Sequence, residues 1–183
     1  MEAKKLNLGC GTDIKDGWVN LDSAALPGVD VVHDIEKLPL PFADSSVDEV
    51  LCQDILEHVE YAPILKDLYR VLTPGGVLHI RVPHFTSKNN FIDPTHRRLF
   101  SINTFDFFAA GTKLHDERPY YFDFHFSFVK HREIQFELSS RYFFLNRFVG
   151  RWVNKSPWRQ EYYESTGLSR LFPAQNIHIS LVK

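Results

Sequence analysis

Two glycines near the N-terminus belong to the first group of residues that could do chemistry. Gly9, Cys10 and Gly11 follow directly on a short apolar run at residues 5–8, which predicts a strand. A glycine pair at a strand end lets the backbone turn sharply and approach a ligand closely. Because ligands of open parallel sheets bind beyond the carboxyl ends of the strands, we expect these three residues at a ligand site.

Acidic residues follow the next two apolar runs. Asp22 ends a predicted strand at residues 18–21, and Asp34 follows one at 29–33, with Ile35 beside it. A carboxylate at the first position can accept hydrogen bonds from both hydroxyls of a ribose. A carboxylate at the second can accept a hydrogen bond from the exocyclic amine of adenine while Ile35 packs on the ring. Either acid could instead serve as a turn or N-cap residue.

Two further polar residues follow the fourth predicted strand, at residues 47–52. They are Gln53 and Asp54, and they should reach the same edge of the sheet as the glycine turn. There they would line the ligand site, although Asp54 could equally cap a helical turn at residues 55–58.

Three histidines are candidates for proton transfer, since histidine can act as a base near neutral pH. His84 and His96 lead, because both lie in the polar segment that leaves the fifth predicted strand, residues 77–82, at the carboxyl edge of the sheet. His58 is the third candidate, although its Leu-Glu-His-Val setting could simply pack against the sheet. For each of them the alternative is a hydrogen-bonded structural histidine.

The loop around His96 also carries candidates for substrate binding. Arg97 or Arg98 could bind a carboxylate or phosphate of the substrate, and Asp93 lies in the same loop. We therefore expect this segment to overhang the ligand site.

The remaining histidines do not predict a metal site. His115, His125 and His131 could in principle act together with Asp93 or Asp116. Their spacing matches no tight ligand motif, so no metal is expected.

The elements that must position these residues alternate between strand and helix signals in the first half of the chain. A helix is predicted at residues 63–72 from apolar residues at helical spacing, and it ends at Pro74-Gly75-Gly76. In the second half, residues 102–110 predict a helix, and residues 124–138 and 176–182 predict strands. Strands that alternate with crossovers indicate an α/β fold with a parallel sheet covered by helices.

The first crossover is unusually short. Only residues 12–17 separate Gly11 from Trp18, too few for a helix of ordinary length. The sequence therefore predicts a loop here. Asp22 also lies much closer to the glycines than the spacing of about 20 residues in dinucleotide sites.

Composition excludes several classes of protein. The chain has 183 residues, 44% hydrophobic and 24% charged, with a formal net charge of −2. This indicates one globular domain over residues 1–183, with a ligand-binding half at 5–84 and substrate or lid segments at 85–175. A nucleic-acid partner is not expected at this charge. Two cysteines build no disulfide framework, and neither a signal peptide nor an apolar span is evident, so we expect a cytoplasmic protein without a membrane span.

Aromatic residues make up 14% of the chain, and most of them follow residue 84. They indicate either a core filled with phenylalanine or an aromatic-lined pocket. Residues 141–159 mix aromatic with basic side chains and show no clean periodicity. That stretch could stack on nucleic acid, form an amphipathic surface helix, lie on a membrane surface, or form a lid or dimer surface, and we favour the last. A homodimer is therefore a candidate assembly.

Four segments of the first half become informative when they are taken together. They are Leu6-Asn7-Leu8-Gly9-Cys10-Gly11; Asp34 leading to Leu38-Pro39-Leu40-Pro41-Phe42; Val47-Asp48-Glu49-Val50 running to Leu56-Glu57-His58-Val59; and Leu68-Tyr69-Arg70-Val71-Leu72-Thr73-Pro74-Gly75-Gly76. In this order the chain resembles the class I, Rossmann-like methyltransferases, specifically the small type 11-like group. The resemblance implies a seven-stranded, mostly parallel sheet, here with a shortened first crossover and an aromatic-rich C-terminal half.

The resemblance also implies S-adenosylmethionine as cofactor and gives each candidate residue a role. The glycine turn would surround the amino-acid and ribose portion, Asp22 would hold the ribose, and Asp34 with Ile35 would hold adenine. Gln53 and Asp54 would lie near the methionine end.

We therefore expect a methyltransferase that acts on a small molecule or a sugar, at an oxygen atom. Related small methyltransferases with a similar Asp-Pro-Thr-His-Arg stretch are thought to act on glycans or other small metabolites. One alternative is a nicotinamide-dependent oxidoreductase, in which the glycine turn and Asp22 would hold NAD. Another is a non-catalytic protein that keeps the methyltransferase fold.

Overall fold

The computed structural model describes residues 4–138 and 144–183. Seven strands form one sheet in the order β3-β2-β1-β4-β5-β7-β6. Their bounds are β1 Lys5–Leu8, β2 Val19–Asp22, β3 Val31–Val32, β4 Val47–Gln53, β5 Leu72–Pro83, β6 Phe128–Phe136 and β7 Ala174–Val182.

The sheet is parallel in its first five strands and antiparallel at one edge. Neighbours among β1 to β5 run parallel, while β7 runs antiparallel to both β5 and β6. The predicted α/β fold with a seven-stranded, mostly parallel sheet is confirmed. The order reverses at β1, whose neighbours are β2 and β4, and such a switch point creates a crevice at the carboxyl ends of the strands.

Helices cover the sheet, and most of them are short. They are α1 Tyr61–Val71, α2 Asn89–Ile92, α3 Lys113–Glu117, α4 Asn146–Val153, α5 Pro157–Ser165 and α6 Leu168–Leu171, with 3₁₀ turns at Leu56–His58 and Thr104–Phe108. In the part of the chain that the structure describes, none combines the length and apolar character needed to traverse a bilayer.

The predicted helix at residues 63–72 is confirmed as α1, which begins two residues earlier, at Tyr61. Its apolar residues at helical spacing include Ile64, Leu65 and Leu68, and all three are buried against the sheet. Pro63 lies in the first turn, where its missing N–H leaves no intrahelical hydrogen bond unmade.

The second half departs further from the sequence-based expectations. The helix predicted at residues 102–110 is a shorter 3₁₀ turn, Thr104–Phe108. Residues 144–158 contain α4 and the start of α5, where a surface helix was one of the alternatives but the periodicity gave no bounds. Residues 141–143 of the aromatic and basic stretch lie outside the described residues. Both helices pack their few apolar residues, such as Val153 and Tyr163, against the sheet, and tertiary packing of this kind overrides weak periodicity.

The late aromatic residues mainly build a core. Phe100, Phe105, Phe108 and Phe126 are almost completely buried. Tyr61 of α1 contacts three of them edge-on, with ring centroids 5.4 to 6.1 Å apart. This cluster fixes α1 against the segment that follows β5, and it fits the first of the two aromatic alternatives.

The first crossover is a loop, as the sequence predicts. Asn20 on β2 organises it, because its buried side-chain Oδ1 accepts hydrogen bonds from Asn7 Nδ2 at 3.0 Å and from the Lys15 N–H at 2.9 Å. Its Nδ2 donates to the Lys15 and Trp18 carbonyls at 3.1 and 3.2 Å. These side-chain bonds replace the backbone ladder that a helix would supply.

Replacement of Asn20 with alanine should therefore destabilise the fold. It leaves buried backbone groups of the loop without partners, which costs about 1–3 kcal/mol. Urea denaturation followed by circular dichroism measures the change. Asn176→Ala is the matched control, because that exposed amide contacts only the Gln135 side chain and should alter stability by less than about 0.5 kcal/mol. Equal effects of the two substitutions would contradict the role of Asn20.

Candidate active site

The glycine turn after β1 lies at the switch point of the sheet. Gly9 has φ +64°, and a Cβ there would lie 2.1 Å from Ile55 Cδ1. Glycine is required at this position both by the left-handed backbone and by the close approach of the Ile55 side chain.

A first cavity of about 560 Å³ opens beside this turn. Four of the predicted ligand residues line it: Gly9, Asp22, Asp34 and Ile35. The other lining residues come from the ends of β2 and β3, the turn after β4 and the loop after α2; they are Ser23, His33, Glu36, Ile55, His58, Val59, Pro94, Thr95 and Arg97.

Asp22 organises the glycine turn as well as lining the cavity. Its Oδ2 accepts the Gly11 N–H at 2.8 Å, and its Oδ1 accepts the Ala24 N–H at 2.9 Å. Each carboxylate oxygen keeps further acceptor capacity for a ligand. The turn role and the binding role, which are alternatives in the sequence, are therefore compatible in the structure.

Asp34 has a similar double environment. Its Oδ1 accepts the Glu36 N–H at 3.1 Å, which closes a local turn, and its other oxygen lies 3.7 Å from Lys37 Nζ. Ile35 is partly buried against the core and presents its remaining surface to the first cavity.

Three other candidates lie near the turn but do not line the first cavity. Cys10 is buried and its N–H donates to the Leu21 carbonyl at 3.0 Å. The Gly11 N–H already bonds to Asp22. Gln53 ends β4 opposite Arg81 and lines neither cavity described here. Cys10 and Gly11 could meet a ligand only through the backbone of the turn.

A second cavity of about 570 Å³ adjoins the first. His58 lines both, so the two spaces meet at its ring. The lining of the second cavity is rich in charged and amide side chains: Asp54, Glu57, Arg81, Asn89, Asp93, His96, Gln175 and Asn176, together with Pro83 and Ile92.

Asp54 belongs to this second cavity. It has a positive φ of 55° and its carboxylate pairs with Arg81, whose Nε lies 3.1 Å from both carboxylate oxygens. This ion pair raises the pKa of Arg81, and the main cause is the hydrogen bond that Arg81 donates to the Asp54 carboxylate. The pair forms a fixed polar wall at the ends of β4 and β5.

Glu57 is a functional candidate that the sequence pattern did not single out. Its side chain is fully buried, and neither carboxylate oxygen has a hydrogen-bond partner. Burial raises the pKa of this carboxyl to about 8. In the sequence, only its place in Leu-Glu-His-Val beside His58 drew attention to Glu57. The residue that lies next to it in space, His96, comes from a distant loop.

His58 is held in one orientation by that loop. Its Nδ1 lies 2.8 Å from Thr95 Oγ1, and this hydroxyl donates to Asp93 Oδ1 at 2.6 Å. Because the hydroxyl proton is used on Asp93, Thr95 accepts the Nδ1–H of His58. The Nε2 of His58 therefore carries a lone pair.

His96 lies against His58 and Glu57. The two imidazole rings meet edge-on with centroids 4.7 Å apart, and His96 Nε2 lies 4.0 Å from Glu57 Oε1. Burial lowers the pKa of His96, and the neighbouring His58 lowers it further. His96 is therefore neutral near pH 7 and able to accept a proton.

His84 lies in different surroundings from the other two candidates. It is fully buried, with Nδ1 2.7 Å from Thr86 Oγ1 and Nε2 3.0 Å from Glu164 Oε1. It lines neither cavity. Its geometry matches the hydrogen-bonded structural alternative, because Glu164 also accepts the Ile102 N–H and so joins α5 to the segment after β5.

The two arginines divide between different surroundings. Arg97 is largely exposed and lines the first cavity rather than the second, 3.8 Å from Glu36. Arg98 pairs with Glu60 and lines neither. Their backbone N–H groups both donate to the Glu57 carbonyl, at 2.8 and 3.2 Å. Asp93 lines the second cavity.

Comparison with known sequences finds a methyltransferase match for the first part of the chain. Residues 3–80 match the family model described as a methyltransferase domain. Over these residues the chain is similar to that family, and the strand order of the sheet agrees with the predicted Rossmann-like fold. The matched residues hold the glycine turn, Asp22, Asp34 and the turn that carries Glu57 and His58.

Individual relatives agree with this methyltransferase assignment. A probable S-adenosylmethionine-dependent methyltransferase from Mycolicibacterium smegmatis is 33% identical over 94 residues, which are 48% of this chain and 36% of that protein. A demethylmenaquinone methyltransferase from Listeria welshimeri is 38% identical over 66 residues, 36% of this chain and 28% of that protein. The matches thus span about a third of these curated relatives.

A solved structure extends the likeness of fold to the whole chain. A methyltransferase from Archaeoglobus fulgidus, described as SAM-dependent, aligns with a TM-score of 0.63 at 22% identity. The alignment covers 100% of this chain and 87% of that one. The second half of this chain, including β6 and β7, therefore belongs to the same fold as residues 3–80.

The environment of His84 predicts a structural effect for its replacement. His84→Ala should lower the free energy of unfolding by about 1–3 kcal/mol, since it removes the fully buried ring and its hydrogen bonds to Thr86 and Glu164. Thermal denaturation measures this loss. His131→Ala is the matched control, because that histidine is exposed. A stable His84→Ala protein would contradict the assignment.

The buried carboxyl of Glu57 predicts a pH dependence. Its pKa of about 8 in the folded chain exceeds the ~4.3 of an unfolded chain. The folded state therefore holds an extra proton between these values, and this group's contribution to stability falls as pH rises through that window. Glu57→Gln should match the wild type near pH 4 and be more stable by a few kcal/mol above pH 8.

Urea denaturation at about pH 4, 6 and 9, with a chelator present, measures this difference. The control is Glu161→Gln, which removes an exposed glutamate. A difference between Glu57→Gln and wild type that does not grow with pH would refute the buried, protonated carboxyl.

Proposed function

We propose that the chain binds S-adenosylmethionine in the first cavity and transfers its methyl group to a hydroxyl of a small molecule or sugar in the second. The observation that carries the proposal is the junction of the two cavities at His58. It supports a nucleoside ligand on one side and an acceptor on the other, in a chain whose first 80 residues match a methyltransferase family.

The residues of the first cavity fit the cofactor. Gly9 leaves room that a side chain would take, and Asp22 keeps acceptor capacity for ribose hydroxyls. Asp34 can accept a hydrogen bond from the adenine amine while Ile35 packs on the ring. The volume of about 560 Å³ lies within the usual range for small-ligand sites. When bound, the cofactor supplies an electrophilic methyl group on a sulfonium.

The remaining cofactor contacts would come from the turn and from the end of β4. Cys10 and Gly11 would act through their backbone, since the thiol is buried. Gln53 and Asp54 would lie on the side of the methionine portion, and Arg81 beside Asp54 offers a cation for its carboxylate.

The second cavity favours a polar acceptor. Arg81, Asn89, Asp93, Gln175 and Asn176 bring donors and acceptors to its wall. The Listeria relative is named for demethylmenaquinone, whereas this lining is suited to a hydroxyl-rich molecule such as a sugar. Arg97 and Arg98 are exposed and would meet the acceptor only at the rim.

His96 is the proposed base. Methyl transfer forms a carbon–oxygen bond to the acceptor, breaks the carbon–sulfur bond of the cofactor and releases the hydroxyl proton. The neutral His96 imidazole can take that proton at Nε2, and the Asp93 carboxylate at 3.9 Å can stabilise the resulting cation. His58, whose Nε2 also carries a lone pair, is the second candidate.

The nicotinamide alternative loses support from the first crossover. Residues 12–18 contain no helix, and the pyrophosphate of NAD normally rests on the helix N-terminus there. A homodimer, a cytoplasmic location and the division into residues 5–84 and 85–175 stay predictions.

Calorimetry with S-adenosylmethionine and its demethylated product tests cofactor binding. Gly9→Ala should weaken product binding more than about tenfold, because the new Cβ displaces Ile55 into the cavity, and Asp34→Ala should cost about tenfold. Gly111→Ala is the matched control, since its φ is also positive, at +75°, but nothing lies within 4 Å of the new Cβ.

Methyl transfer to a panel of sugars and other hydroxylated metabolites then tests the reaction. His96→Ala should abolish transfer and leave product binding intact. If the wild-type protein bound NAD but not S-adenosylmethionine, the proposal would be contradicted.

A further inference from the structure

A group of metal-capable side chains lies where the two cavities meet. Within residues 4–138 and 144–183, Glu57, His58 and His96 each offer one ligand atom, and these atoms lie within 4.8 Å of one another. Two histidines and one carboxylate are a common donor set for first-row divalent metals. The sequence predicted no metal, and its spacing does not reveal this group, because the segments of His58 and Thr95 that meet here are 37 residues apart.

Glu57 is the strongest indication that something binds here. Its side chain is fully buried, and both of its oxygens lack hydrogen-bond partners. The nearby Arg81 guanidinium is already engaged by Asp54. A buried carboxylate without a partner is costly, so this group needs either a proton or a cation.

The Nδ1 side of the His58 ring is held by hydrogen bonds, as is usual for a histidine that binds a metal through its other nitrogen. A chain of hydrogen bonds runs from its Nδ1–H to Thr95 Oγ1 and on to Asp93 Oδ1, at 2.8 and 2.6 Å. Metal-ligating histidines typically donate their other N–H in this way, which fixes the tautomer. The lone pair of Nε2 is thereby available.

The distances around His96 suit an inserted ion better than a direct hydrogen bond. Its Nε2 lies 4.0 Å from Glu57 Oε1 and 3.9 Å from Asp93 Oδ2. Two bonds of about 2.1 Å to a shared tetrahedral metal would bring such atoms to ~3.4 Å, a closure of about half an ångström. Asp93 lies on the same side of His96 and can accept a hydrogen bond from a water bound to such an ion.

The loop that carries these residues is already docked. The N–H groups of Arg97 and Arg98 donate to the Glu57 carbonyl, at 2.8 and 3.2 Å. These bonds hold His96 over Glu57, so little ordering is needed when an ion enters.

We propose that Glu57, His58 and His96 bind one divalent first-row metal ion such as Zn²⁺, with the fourth position open towards the second cavity. In that position the ion would bind the acceptor hydroxyl and lower its pKa, and this activation would replace proton transfer to His96, whose Nε2 is then a ligand. This use of the metal rests on the proposed function, whereas metal binding itself does not.

Titration of the full chain with Co²⁺, after treatment with a chelator, tests the site. Cobalt bound by nitrogen and oxygen ligands absorbs visible light, and we expect one equivalent that Zn²⁺ then displaces. Glu57→Gln and His96→Asn should each weaken binding more than about 100-fold. Thr95→Val, which removes the hydroxyl that links His58 to Asp93, should weaken it about 10- to 100-fold.

A second group of histidines on the same chain supplies the control. His115 and His125 have ring centroids 5.2 Å apart, and Asp116 lies 3.2 Å from His115 Nδ1. His125→Gln should leave Co²⁺ binding unchanged. If His125→Gln lost Co²⁺ binding and Glu57→Gln retained it, the metal site would be at His115 and His125, and the proposal would be overturned.

Two further outcomes separate this proposal from the cofactor proposal. Wild-type protein that gives neither Co²⁺ absorption nor heat with Zn²⁺ would overturn the metal site, and binding of the demethylated cofactor product could still be intact. Glu57→Gln and His96→Asn that bind the product but not the metal would support both. Circular dichroism of each variant shows that the fold is retained.

Discussion

The docking of one loop onto the turn after β4 is the contact on which both cavities depend. The backbone N–H groups of Arg97 and Arg98 meet the Glu57 carbonyl, and Thr95 meets His58 from the same loop. Through these bonds the loop closes over the first cavity with Thr95 and over the second with His96. Since the backbone makes the contact, its geometry is less sensitive to side-chain identity than an ion pair would be.

The same docking buries the Glu57 carboxyl, and burial changes its chemistry. A carboxyl without partners binds a proton tightly, which is why its pKa rises to about 8. A neutral histidine lies 4.0 Å away. Burial raises the pKa of the carboxyl and lowers that of the imidazole, so their usual order is reversed, and such perturbed groups in a cavity are typical of functional sites.

The nucleoside side of the site is built differently, from backbone and short side chains. The first crossover has no helix, so its loop is held by Asn7 and Asn20, and the glycine turn is held by Asp22. A helix dipole cannot assist binding here. Recognition must depend instead on carboxylates and on the clearance that Gly9 provides beside Ile55. That suits a ligand without a pyrophosphate.

The sequence by itself determined the glycine turn, the short first crossover, the strands of the first half and α1, because hydrophobic periodicity and glycine placement act over a few neighbouring residues. It also placed Asp22, Asp34 and His96 at strand ends or in the overhanging loop. Tertiary structure alone decided that His84 is buried on Glu164 and that α4 and α5 form. It also brought Glu57 and His58 together with a loop 37 residues away. Such contacts join segments that are distant along the chain, and no local pattern encodes them.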